Sequence, residues 1–303
     1  MHDLIIIGAG PAGLSAAIYA VRKKLRVLVL AQMVGGQTID AHLVENYLGV
    51  PEILGIELVE KFKEHAKKFD TEIKENISVQ KITKGDADIF SIKTNKGDFQ
   101  AKALIIASGK KYRQLTVSGA MEFEGKGITY CATCDAPLFK DKKVAVIGAG
   151  DAGQDAAWQL TQYAEKIYLF NRYQELRGDD VVMQEKLKQH PKIEIIDDAY
   201  PVEIKGDKFV QALVYQQNGS ADRKEIAVSG IFVEIGSVPV SEYLKDMVEL
   251  NEKGEIIVNP KTNMASCPGI FAAGDVTDIP HKQMIIAAGE GAKAALSAYE
   301  YLK

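Results

Sequence analysis

Apolar residues fall in short blocks along this chain, and several blocks end in glycine. "DLIIIGAG" (residues 3–10) and "KVAVIGAG" (143–150) each run from unbroken aliphatics into a glycine turn. A block of that length predicts a short apolar strand. Small residues follow each turn, "PAGLSAA" and "DAGQDAA", and predict a helix packed close to a sheet. Then come "LRVLVL" (25–30) and "KIYLF" (166–170), aliphatic or β-branched and strand-like. Each segment therefore reads as a strand–helix–strand unit. Between them, "GDADIFSIKTNKGDFQAKALII" (85–106) reads as antiparallel strands turning at "NKGD". "KALIIASGKKYR" (102–113) and "PGIFAAGDVTD" (268–278) read as further buried strands ending in Ser108–Gly109 and Gly274–Asp275. The final stretch, "QMIIAAGEGAKAALSAYEYLK", predicts a helix with an alanine-rich apolar face.

The two glycine segments superimpose without a gap. Gly8, Gly10 and Gly13 match Gly148, Gly150 and Gly153, all in the GxGxxG spacing. The first glycine makes the turn, the second admits a pyrophosphate, and the third lets helix and strand pack closely. The helix start then offers N–H groups and a positive dipole end to the anion. Pro11 suits a first helical turn, where its missing N–H costs nothing. Two such motifs in one chain predict two dinucleotides, the arrangement of a flavin enzyme that also binds a nicotinamide. The order of segments predicts an α/β chain of two Rossmann-like dinucleotide-binding domains of the three-layer ββα type, the second inserted into the first. Residues 1–112 and 239–303 would form the FAD-binding domain, and residues 113–238 the NAD(P)-binding domain. "KKYRQL" and "EIGSVPVSEY" would be the crossings.

Composition narrows the partners. The chain has 303 residues, net charge -4 and no basic block, which argues against nucleic acid. Its apolar runs are too short to span a bilayer. The start "MHDLIIIGAG" lacks a basic leader and reads as a first strand, and three cysteines do not make a secreted disulfide scaffold. A cytoplasmic setting is expected.

"YCATCDAPLFK" (130–140) carries the chemistry. Cys131 and Cys134 could be half of a zinc site, an inert buried pair or a redox disulfide. Zinc needs four ligands, whereas only Cys267 remains and the five histidines are scattered, so no metal is expected. The redox reading fits best. A CxxC at a helix start has its thiolate stabilised, and Asp135 follows directly, placed to move the proton that exchange requires.

These segments together resemble the low-molecular-weight thioredoxin reductase family over essentially the whole chain. "GGQT" (35–38), "ENYLG" (45–49), "CATCD" (131–135), "GIFAAGD" (269–275) and "KQMIIAAGEG" (282–291) carry the likeness, with both glycine motifs. "SGKKYR", "FVEIGSVP" and the C-terminal helix are similar to the flavoprotein component of alkyl hydroperoxide reductase, which has an added thioredoxin-like module. Here the flavin strand starts at Asp3, so a separate disulfide-carrying protein is expected. The resemblance implies FAD held by Gly8, Gly10, Pro11, Ala12, Gly13, Gly35, Gly36, Gln37, Asn46 and Gly109. It adds Gly274, Asp275, Lys282, Gln283 and Met284 near the same cofactor. It implies a nicotinamide nucleotide on Gly148, Gly150, Asp151, Ala152 and Gly153. It also implies a homodimer. One departure stands out: Leu30–Ala31–Gln32 lacks the acidic residue expected for the adenosine ribose.

By the same resemblance, a hydride passes from nicotinamide to FAD, and the flavin opens Cys131–Cys134. Cys134 faces the flavin and Cys131 attacks thioredoxin or a thioredoxin-like protein. The second domain would rotate about hinges near Lys111–Gln114 and Ile235–Pro239. Alternatives are a reductase serving a peroxidase through a detached module, a ferredoxin-fed reductase, and a flavin- or metal-binding protein without turnover. For the donor, "FNRYQELRGDD" (170–180) places Asn171, Arg172 and Arg177 after the second strand. No acid follows Phe170, and two guanidiniums could clamp a 2′-phosphate, which favours NADPH over NADH.

Overall fold

A computed structural model describes the chain except residues 42, 43, 45, 86, 87 and 179; of residues 40, 133 and 134 only the backbone is described. The chain divides into two units, Met1–Lys111 with Val238–Lys303, and Tyr112–Ser237.

In the first unit, strands Glu72–Lys74, Val27–Val34, His2–Ala9 and Gly97–Ile106 lie side by side in that order, all parallel. Gly97–Ile106 is shared. Its beginning pairs antiparallel with Phe90–Thr94, which pairs in turn with Val79–Lys84, and its end pairs parallel with Ile270–Ala272. The "NKGD" segment makes the expected hairpin: Gly97 adopts φ +108°, and the Thr94 hydroxyl donates to Gly97 O at 2.6 Å.

Alternation along the central strands builds two cores. Leu4, Ile6, Val27, Val29, Ala103 and Ile105 face the helices Pro11–Arg22 and Met284–Leu302. Ile5, Ile7, Leu28, Leu30, Leu104 and Ile106 face the antiparallel layer, with Phe90 and Ile92. Both faces are covered, which is why these strands read as unbroken apolar blocks. The helices meet through Ala16, Ala17, Ala20, Ala294, Ala295 and Ala298, small enough for close approach.

The second unit repeats the plan. Strands Ile193–Ile196, Lys166–Phe170, Lys143–Ile147, Gly230–Val233 and Ile128–Thr129 form a parallel sheet in that order. Helices Asp151–Leu160 and Val181–Gln189 contribute Ala156, Ala157, Leu160 and Leu187 to one core, against Val144, Val146, Ile167 and Leu169. Strands Ala199–Gly206, Val210–Gln217 and Arg223–Ala227 form an antiparallel layer on the other face, closing over Ala145, Ile147, Phe170 and Val233. Each unit is therefore the three-layer ββα arrangement expected from the sequence.

The chain crosses between the units twice, in Lys110–Tyr112 and Ser237–Pro239, and these segments pair as a two-stranded ribbon. Arg113 N–H donates to Gly236 O at 2.9 Å, and Val240 N–H donates to Gly109 O at 3.0 Å. Among the described residues, no helix is long and apolar enough to cross a membrane.

Candidate functional site

In the first unit the glycine turn joins His2–Ala9 to the helix Pro11–Arg22. Gly8 has φ +111°, a left-handed conformation that glycine alone adopts without strain. A Cβ there would fall 2.1 Å from Ala107 O, and one at Gly13 would fall 1.9 Å from Gly8 O. Gly10 caps the helix, and no side chain occupies its free N–H groups. Pro11 stands at the first helical position and Ala12 behind it. Gly35 and Gly36, at φ +106° and +56°, lie alongside: a Cβ on Gly36 would meet Gly10 Cα at 3.4 Å. They open the short helix Gly36–Asp40 that carries Gln37.

The loop before the C-terminal helix completes the cradle. Gly274, at φ +77°, threads between the two helix starts, since its Cβ would touch those of Ala12 and Ala287 at 3.1 and 3.4 Å. Its N–H donates to buried Glu290 at 2.7 Å. Asp275 is half-buried, and burial pushes its carboxyl above the usual carboxylate range, opposed by the charges of Lys282 and Lys110. Glu255, only 7% exposed, lies between those lysines, at 2.7 Å from Lys110 and 3.5 Å from Lys282. Burial raises Glu255, but the hydrogen bonds from Lys110 and Asn251 and the Lys282 charge outweigh it, so its carboxyl stays ionised. Burial lowers Lys282, whose ammonium also donates to Thr277 O. Asn46 Nδ2 donates to Gln283 Oε1 at 3.3 Å, joining two residues expected near the flavin, and Met284 opens the C-terminal helix directly after Gln283. Gly109 begins the first crossing, after Ser108 has bonded Val240 O at 2.7 Å. Bare helix starts and turns that no Cβ could enter fit a dinucleotide pyrophosphate.

The second unit builds the same turn. Gly148 has φ +107°, and a Cβ on Gly153 would fall 1.8 Å from Gly148 O. Gly150 caps the helix with no side-chain bond, and a Cβ there would meet nothing within 4 Å. Asp151 and Ala152 open the helix; the Asp151 carboxyl reaches the loop, 2.1 Å from where a Gly178 Cβ would be. Gln154, 1% exposed, donates to Ala149 O at 3.0 Å and Arg177 O at 2.6 Å, tying the glycine turn to the 171–178 loop.

Asn171, expected at the nucleotide, is 2% exposed, donates to Asp197 at 2.8 Å and accepts the Tyr173 N–H at 3.2 Å. Both ends of its amide are used to shape the loop. Arg172 and Arg177 both line an open cleft of about 690 Å³, with Tyr173, Asp198 and Asn218. The Arg177 guanidinium lies 3.3 Å from the Tyr173 ring centroid, a cation–π stack.

Strand Ile128–Thr129 leads into the CxxC segment. Cys131 is disulfide-bonded and half-buried, while Cys267 is a free thiol in the first unit. The Cys134 side chain lies outside the described residues. The helix here is one turn, Ala132–Asp135, with Asp135 N–H donating to Cys131 O at 3.1 Å, shorter than the dipole argument from sequence supposed. Thr129, which sequence reasoning missed, holds the turn: its Oγ1 accepts the Cys131 N–H at 3.3 Å and donates to the Asp135 carboxylate. Asp135 is thus wired to Cys131 through one hydroxyl. Glu234, also missed, accepts the N–H of Ala132, although an acid in the apolar run "FVEIG" was its signal. Among the described residues, no group of three or more His, Cys, Asp or Glu is placed to hold a metal ion.

Comparison with known proteins decides the family, since the pyridine nucleotide-disulphide oxidoreductases match residues 2–294. The chain belongs to that family. As a pyridine nucleotide-disulphide oxidoreductase it takes FAD and a nicotinamide nucleotide, which the two glycine turns fit. It is 42% identical over 304 residues to the F component of alkyl hydroperoxide reductase from Pseudomonas aeruginosa, covering 99% of this chain and 58% of that protein. It is 38% identical to a Bacillus subtilis protein named NADH dehydrogenase, over 99% of this chain and 58% of the relative. The chain thus spans somewhat over half the length of these curated relatives. Among solved structures, thioredoxin reductase of Streptococcus pyogenes is 36% identical with a TM-score of 0.83, covering 100% of this chain and 98% of that one.

Proposed function

We propose that this oxidoreductase is an FAD-dependent reductase of disulfides carried by thioredoxin or a thioredoxin-like protein, acting through a Cys131–Cys134 disulfide. The observation that carries the reading is the disulfide-bonded Cys131 on a turn whose Asp135 is linked to it through Thr129. Bound FAD would supply two-electron transfer between the nicotinamide nucleotide and that disulfide. The chain's own residues do the rest. Half-buried Cys131, as thiolate, attacks the partner's disulfide; a mixed disulfide forms, the partner's S–S bond breaks, and the departing sulfur takes a proton. Asp135, held by Thr129, is placed to hold that proton. Cys134 then attacks Cys131 and frees the reduced partner.

The likeness to thioredoxin reductase structures over the full chain favours thioredoxin as partner. A second reading, service to a peroxidase through a separate thioredoxin-like module, is favoured by the 42% identity to the alkyl hydroperoxide reductase component. For the donor we favour NADPH, because Arg172 and Arg177 line one cleft. NADH is the competing donor, favoured by the name of the Bacillus subtilis relative and by the stacking of Arg177 on Tyr173.

The test is anaerobic stopped-flow flavin reduction with NADPH, NADH and reduced ferredoxin, followed by turnover with thioredoxin and with peroxiredoxin. NADPH should reduce the flavin fastest, and thioredoxin should be the better acceptor. Arg172→Ala with Arg177→Ala should raise KM for NADPH roughly tenfold, the scale of one lost charge-assisted hydrogen bond, and spare NADH. Cys131→Ser should abolish disulfide turnover and leave flavin reduction intact. Equal thioredoxin turnover by Cys131→Ser and wild type would end the reductase reading; faster reduction by NADH would end only the donor assignment.

A further inference from the structure

Glu234 has no part in the steps above, yet it touches both working turns of the second unit. It directly follows strand Gly230–Val233, and its N–H donates to Ile147 O at 2.8 Å. Its carbonyl sits 2.3 Å from where a Cβ on Gly148 would be, so its backbone is fixed against the glycine turn. Its half-buried side chain reaches the other way and accepts the N–H of Ala132, the first residue of the disulfide turn.

The surroundings work against a charge there. Burial is the main cause that pushes the Glu234 carboxyl up to about 7; the Ala132 hydrogen bond opposes it, and the Asp155 carboxylate adds to it. The helix Asp151–Leu160 presents Asp155, with Asp151 turned to Gly178. The glycine turn presents backbone. The disulfide turn presents the Ala132 N–H, and that turn's own acid, Asp135, is bonded to Thr129. Asp155 is the one charged side chain that shifts Glu234 appreciably among the described residues, and it has the same sign.

We propose that Glu234 is a positioning residue for the disulfide turn, and that it binds a proton when the Cys131 disulfide opens and releases it when the disulfide closes. The inference rests on the reductase reading. On opening, the S–S bond breaks and two electrons enter from the reductant. One sulfur becomes a thiol by taking a proton, and the other becomes a thiolate. That thiolate forms on the turn whose first N–H the Glu234 carboxylate accepts. Two like charges in a half-buried site disfavour one another, so Glu234 takes a second proton. Reoxidation returns both electrons and both protons.

The test compares the holoprotein with Glu234→Gln, which keeps an acceptor for Ala132 and cannot ionise. Both are equilibrated with dithiothreitol redox buffers across a pH series, and the Cys131 thiol is counted by alkylation and mass spectrometry. Above about pH 7, reduction of the wild type should become harder by up to roughly a further tenfold per pH unit than reduction of Glu234→Gln, the mark of one extra proton. Asp155→Asn should move that window to lower pH. Parallel profiles for wild type and Glu234→Gln would overturn the inference and leave the reductase reading standing. A Cys131 disulfide that the dithiol opens at no pH would remove both. Reduced-minus-oxidised infrared spectra of the wild type provide a readout that needs no variant: a protonated-carboxyl band should appear on reduction, and its absence would overturn the proposal.

Discussion

At Gly13 an added Cβ would fall 1.9 Å from Gly8 O; at Gly153 it would fall 1.8 Å from Gly148 O. The backbones of the two turns are near copies, but their surroundings differ. The first turn is closed over by the C-terminal helix, where a Cβ on Gly291 would come 2.0 Å from Ala12 O and Gly274 fills the gap to Ala287. Its carboxyls are matched by cations, Asp275 and Glu255 by Lys110 and Lys282. The second turn has open space at Gly150, an open cleft alongside, and two carboxyls, Asp155 and Glu234, that repel one another. What covers the motif, not the motif itself, distinguishes the two turns. An enclosed cradle suits a cofactor that stays, and an open one suits a nucleotide that comes and goes.

Substitution at the third glycine is the strongest way to break this comparison. Gly13→Ala should disrupt the first unit by roughly 3 kcal/mol or more, since backbone must move to make room, and the protein should purify without flavin. Gly153→Ala should leave the flavin bound and weaken the nicotinamide nucleotide, as read by absorbance and by calorimetric titration. Flavin loss in both variants, or in neither, would show that the two turns do not divide the work.

Acid–base behaviour offers a second comparison between the units, through one carboxyl of each that shifts in the opposite sense to the other. Glu234 of the second unit is raised from 4.5 to about 7, so the native state keeps a proton that the unfolded chain has shed. The stability this supplies is complete below 4.5 and is lost as pH rises through about 7. The loss is bounded at about 3 kcal/mol. Urea unfolding at acid and alkaline pH should show wild type losing more than Glu234→Gln. Asp3 of the first unit is shifted the other way, chiefly by the Arg26 hydrogen bond, which holds it well below its ordinary 3.8. Its contribution is present above 3.8 and disappears as pH falls below that value. The pair is exposed on the Arg26 side, so Asp3→Asn should cost under about 1 kcal/mol at neutral pH. A larger loss would mean that this end of the central strand carries more of the first unit than its exposure indicates.

Much of this was legible in the residues. A GxGxxG turn demands a positive φ at its first glycine and close approach at its third, so Gly8 and Gly148 declared themselves. Unbroken aliphatic runs marked the strands covered on both faces, as in Leu4–Ile7 and Val144–Ile147. The three-layer plan foresaw an antiparallel layer in the second unit, but its strands within Ala199–Ala227 were not individually legible, because Ala199–Gly206 is mostly half-buried and Arg223–Ala227 largely exposed, so neither carries a clear apolar alternation. The position of Asn171 after a strand is legible, but the bonds of its amide to Asp197 and the Tyr173 backbone are not, because Asp197 lies far along the chain. Thr129 and Glu234 escaped for a similar reason. Their roles depend on hydrogen bonds across a turn or between distant segments, and neither leaves a spacing to read.

The ribbon formed by the two crossings bears on how such a protein could arise and be rebuilt. The ends of the second unit meet at the bond from Arg113 to Gly236, and the ends left in the first meet at the bond from Val240 to Gly109. Both cut edges are already stitched. A tight hairpin linker could replace residues 112–237 without stretching the remaining chain, and the excised segment could be expressed with its termini side by side. At the level of genes, the ribbon marks a place where one segment could be exchanged for another without parting the ends it leaves behind.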